Sequence, residues 1–70
     1  MKLEIESLAT GATEVIELVA IPRVGEHVFL SEANKLKTET PLVVKDVRYY
    51  SARYKDPSEI PLVKISVEVA

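Results

Sequence analysis

Seventy residues, 47% of them hydrophobic, with a formal net charge of −2 and no cysteine, amount to one small domain without disulfides or thiolate metal sites. A single histidine, His27, excludes a histidine-rich metal centre, and the absence of a basic excess weighs against a dedicated nucleic-acid binder. A domain this short buries a small share of its surface, which leaves self-association as its remaining source of extra stability.

The chain opens on Met1-Lys2-Leu3-Glu4-Ile5-Glu6. This stretch has no apolar region of signal-peptide type, and no run in the chain reaches the length of a membrane span. A cytoplasmic protein without membrane contact is expected. Residues 2–6 alternate with period two, which predicts a strand with Leu3 and Ile5 inward and three charges outward. Thr10-Gly11-Ala12 then breaks the alternation and reads as a hairpin connection.

Residues 13–21 are predicted to be extended again, with Val15, Glu17, Val19 and Ile21 on one face and Ile16 and Leu18 on the other. Apolar residues on both faces predict cover from two sides, the barrel interior and a partner or loop. A helix here has a Thr start signal and early acids in its favour. The β-branched residues and the stop at Pro22 count more heavily against it.

Pro22 fixes its own φ and pushes Ile21 toward extended geometry. Gly25 lets the chain reverse before a short strand over 27–31. Residues 32–40 are polar apart from Ala33 and Leu36 and read as a loop, with room for one helical turn begun at Ser31. Residues 42–50 form the longest predicted strand, continuing toward Tyr54. Val44 and Val47 are three apart, so placing both inside requires a β-bulge at Lys45-Asp46. Such a bulge bends the strand as a small barrel needs. Asp56-Pro57-Ser58-Glu59-Ile60-Pro61 is a reversal, and residues 62–69 alternate cleanly as the last strand. Together these elements predict an all-β fold, a small antiparallel five-stranded barrel or strongly bent sheet, as one domain over residues 1–70.

The run Ile21-Pro22-Arg23-Val24-Gly25-Glu26-His27-Val28 resembles the I-P-R-V-G-[ED]-x-[VI] segment of short, uncharacterised bacterial proteins with an SH3-like small β-barrel. Some short proteins of this kind are encoded on integron gene cassettes. By pattern the resemblance covers residues 15–69, and by motif about eight of them. The polar insert over 32–40 departs from it, because many of those proteins have a tight turn there. The resemblance implies an SH3-like barrel and oligomerisation; it implies no activity and no cofactor.

Charge is unevenly placed. Residues 1–32 hold Lys2 and Arg23 against six glutamates, whereas residues 33–70 hold seven Lys or Arg against five acids. Such a tilt could supply complementary patches for self-assembly. The basic-aromatic stretch Arg48, Tyr49, Tyr50, Arg53, Tyr54 and Lys55 is the other conspicuous feature. On an unbroken strand Arg48, Tyr50 and Tyr54 share one face, and Tyr49 and Arg53 the opposite one. Tyr and Arg are enriched at protein interfaces, so Ile16, Leu18, Arg48, Tyr50 and Tyr54 are the candidate interface or partner-binding residues.

The alternative is a single-stranded nucleic-acid-binding barrel that stacks bases beside cations, using Arg48, Tyr50, Tyr54 and Lys55. Catalysis finds little footing. Glu26 and His27 are adjacent on a strand, and Glu14 and Glu17 are three apart, so neither pair converges on one proton. No nucleophile elbow or phosphate-cradling glycine loop is present. The expectation is a non-enzymatic, cofactor-free binding or adaptor module. Its expected partner is a second copy in a homodimer or higher homo-oligomer, or another protein.

Overall fold

A computed structural model describes residues 1–31, 34–51 and 62–70. Five strands form one sheet: β1 (Lys2–Ser7), β2 (Thr13–Glu17), β3 (His27–Val28), β4 (Leu42–Tyr49) and β5 (Val63–Val69). Their order is β2-β1-β5-β4-β3, and the sheet curls strongly into a half-barrel. The expected all-β, strongly bent five-stranded sheet is therefore what forms. It is mixed rather than antiparallel throughout, because β1 and β5 run parallel with Ile5 beside Ile65. The other three pairings are antiparallel. No hairpin joins the first strand to the last, so packing alone sets their relative direction.

Alternation builds the core. Leu3 and Ile5 of β1, Leu42 and Val44 of β4, and Ile65 and Val67 of β5 all lie buried on the concave face. Val28 and Leu36 complete this cluster, with Ala12, Ile16, Leu18, Leu30, Val47 and Val63 packed at its margin. The predicted β-bulge is present. Val44 pairs with Val67 and Asp46 with Ser66, which leaves Lys45 unopposed. One extra residue thus lets Val44 and Val47 both face inward, and it bends β4 at mid-strand.

Two strands are shorter than their sequence pattern suggests. β2 ends at Glu17 rather than at residue 21. Its partner β1 runs out there: the Met1 carbonyl accepts the Leu18 N–H at 2.9 Å and the Met1 ammonium donates to the Leu18 carbonyl at 2.8 Å. Beyond that point Val19 is fully exposed. β3 is confined to two residues opposite Val43 and Leu42, and Phe29 projects into solvent, 71% exposed.

The Pro22–Gly25 corner docks against β4. Gly25 N–H donates to the Val44 carbonyl and Val44 N–H to the Glu26 carbonyl, both at 2.9 Å. Gly25 has φ +92°, and a Cβ built there would meet nothing within 4 Å. Backbone conformation, not space, therefore requires glycine. Gly25→Ala is expected to cost about 1–2 kcal/mol, measured as a shift of the urea midpoint; a change within error would show that the corner relaxes freely.

The long insert is not merely polar loop. Leu36 is buried in the core. Asn34 is buried as well; its Nδ2 donates to the Ser31 carbonyl at 2.8 Å, and its Oδ1 accepts the Thr38 N–H at 3.4 Å. A buried amide satisfied by its own loop acts as an internal clamp, and it seats Leu36 against the sheet.

Candidate functional site

The convex face of β1, β5 and β4 carries most of the charge that the sequence places near its centre. Glu4 sits beside Lys64 and Glu6 beside Ser66; on the other side of β5, Lys64 faces Arg48 and Ser66 faces Asp46. Ser66 is only 2% exposed, a short side chain in a row of longer ones. Lys64 Nζ lies 3.7 Å from both Glu4 Oε1 and Glu6 Oε1, with all three side chains about three-quarters or more covered. Lys45 lies 4.0 Å from Glu68, and Arg48 Nε donates to Asp46 Oδ2 at 2.7 Å. Each of these cations has a carboxylate within the same sheet face.

Arg48 and Tyr50 are brought together, as their shared parity predicts. Hydrogen bonding to Asp46, then to the Tyr50 side chain, holds the exposed Arg48 guanidinium above its ordinary pKa. It stays charged and locally compensated, a poor starting point for a phosphate contact. Tyr50 is half-buried, and its N–H donates to the Leu62 carbonyl at 2.7 Å. Tyr49 turns to the other face opposite Val63 and is 69% exposed at the end of the sheet. Arg53, Tyr54 and Lys55 lie outside the described residues.

Ile16 and Leu18 pack against the chain's own core. The apolar side chains that this segment leaves exposed are Val15 and Val19. Glu14 and Glu17 diverge as expected: Glu14 Oε2 accepts the Lys35 N–H at 3.2 Å, while Glu17 lies 3.8 Å from the Met1 ammonium. Glu26 does more than sequence reasoning assigned to it. Its carboxylate accepts the Arg23 N–H while its own N–H donates to the Arg23 carbonyl. The acid of the I-P-R-V-G-E run thus closes the corner. An acid three residues after an otherwise unpaired N–H was the available signal, in the manner of a cap.

A depression of about 360 Å³ opens between Leu30, Ser31, Asn34, Thr38, Glu39 and Thr40. Its amide, Asn34, is turned into the loop, and Glu39 is its one titratable group among the described residues. Among those residues no three His, Asp or Glu side chains converge as metal ligands. β2 stands at one end of the sheet, and among the described residues no strand lies on its outer side. No protein-family model, curated protein or solved structure matches the chain.

Proposed function

We propose that this chain is a non-enzymatic, self-associating small β half-barrel that serves as a cytoplasmic binding or adaptor module. The carrying observation is a sheet that curls without its end strands pairing among the described residues. Exposed Val15 and Val19 lie along one end. A small sheet with an open edge and apolar side chains beside it gains stability by pairing with another strand. The similarity of residues 21–28 to short bacterial SH3-like proteins, integron-cassette proteins among them, supports the same reading.

Light scattering and sedimentation at micromolar protomer concentration are expected to show a dimer or higher homo-oligomer. A folded monomer throughout that range overturns the proposal. The same samples, titrated with labelled single-stranded DNA and RNA at low salt, are expected to show no saturable binding. The sheet's own carboxylates compensate Arg48, Lys45 and Lys64. Tight, salt-dependent binding would favour the nucleic-acid alternative built on Arg48 and Tyr50.

A further inference from the structure

We propose that a second copy of this chain docks on the edge of β2 that no described strand pairs. It runs antiparallel about a two-fold axis at Val15, so that five strands from each copy form one continuous sheet. This rests on the self-association proposed above and adds its surface and register.

The main-chain geometry selects the edge. Ala12 and Leu18 aim their peptide groups at β1: the Ala12 carbonyl accepts the Ser7 N–H at 2.9 Å, and Leu18 exchanges bonds with Met1. In the register Ile5 to Glu14 and Leu3 to Ile16, antiparallel alternation gives Glu14 and Ile16 the same direction. Thr13, Val15 and Glu17 therefore point their N–H and C=O groups away from β1, and no described strand takes them. At the opposite end β3 offers two residues, and the stretch of β4 beyond them begins at the bulge around Lys45, which turns that edge away from further pairing.

Charge and strand length select the register. A two-fold axis normal to the sheet pairs only residues on the same face. With the axis at Val15, Thr13 faces Glu17, Glu14 faces Ile16 and Val15 faces itself, so no like charges meet. An axis at Glu14 or at Glu17 sets a carboxylate against its own mate, which is destabilising. An axis at Ile16 sets Thr13 against Val19, beyond the end of β2. The Val15 axis uses all five residues of β2, makes up to about six main-chain hydrogen bonds and covers a side chain that is 53% exposed in one copy.

The test compares the wild-type chain with Val15→Lys, His27→Lys on the opposite edge, and Val15→Cys, by sedimentation velocity and circular dichroism. Val15→Lys places two ammonium groups face to face and is expected to raise the dimer dissociation constant about tenfold or more, with an unchanged strand signature. His27→Lys is expected to leave the dimer intact. The native chain has no cysteine, so Val15→Cys reports on the axis directly. Bonded antiparallel partners have Cα atoms about 5.5 Å apart and Cβ atoms slightly beyond direct disulfide reach, so a short bis-maleimide linker is used, and it is expected to give a covalent dimer. If Val15→Lys unfolds, the cysteine variant decides. A wild-type dimer that Val15→Lys does not weaken, or a Val15→Cys dimer that does not cross-link, overturns the β2 edge and leaves self-association standing. A wild-type monomer overturns both.

Discussion

Ile65→Ala is expected to remove about 2–5 kcal/mol of folding stability, the largest effect of any single substitution considered. Ile65 is fully buried at the middle of the central strand, with Ile5 on one side and Val47 on the other. The truncation opens a cavity where three strands meet, and the neighbouring backbones are tied into ladders that resist collapse into it. A domain of this length has roughly 3–10 kcal/mol in total, so the variant sits near its unfolding threshold. Urea denaturation followed by circular dichroism, at one fixed protomer concentration for both proteins, measures the difference. A loss below about 1 kcal/mol would mean that the half-barrel core is loosely packed at its centre.

The second large effect is electrostatic. Lys64→Met is expected to destabilise the fold by about 1–3 kcal/mol, because it leaves two carboxylates close together on a covered face without their ammonium. Partial exposure keeps the figure below that of a fully buried pair. Glu4 and Glu6 both reach the same Nζ at 3.7 Å, so their contributions are coupled. Adding Glu4→Gln to the Lys64→Met background is expected to recover part of the loss, while Glu4→Gln alone costs less than Lys64→Met does. A double-mutant cycle in denaturant reads the coupling. Strict additivity would show that Lys64 acts through its packed methylene stem rather than through its charge.

That ion cluster also bears on function. A row of cations on a curved sheet is a plausible footing for a polyanion only while the cations lack partners. Here Lys64, Arg48 and Lys45 are matched to carboxylates on β1, β4 and β5. Among the described residues, the peptide groups of Thr13, Val15 and Glu17 face away from the sheet with no strand beside them. Main-chain pairing asks little of side-chain identity.

Much of the local structure was legible because period-two alternation is written residue by residue. Leu3 and Ile5 announce the inner face of β1, and Ile65 and Val67 that of β5. The three-residue interval between Val44 and Val47 announces the bulge at Lys45. The Pro22 to Gly25 corner could be placed from φ preferences alone. Less legible were Leu36 and Asn34, because a lone leucine and a lone amide in a polar stretch carry no period. Their burial depends on where the loop lands. The same holds for Ile16 and Leu18. Alternation puts them on one face, and only packing decides whether that face meets the chain's own core or another molecule.

The sequence by itself determined that this is a small all-β domain without disulfides, in which stretches its strands fall though not where β2 and β3 end, and which side chains within a strand point together. Tertiary structure decided the strand order β2-β1-β5-β4-β3, the parallel meeting of the first and last strands, the pairing of the convex-face cations, and which strands stand at the two ends of the sheet. Conformational preference and alternation act over a few neighbouring residues. The choice of pairing partner compares contacts between segments far apart in the chain, and that comparison exists only once the sheet has formed.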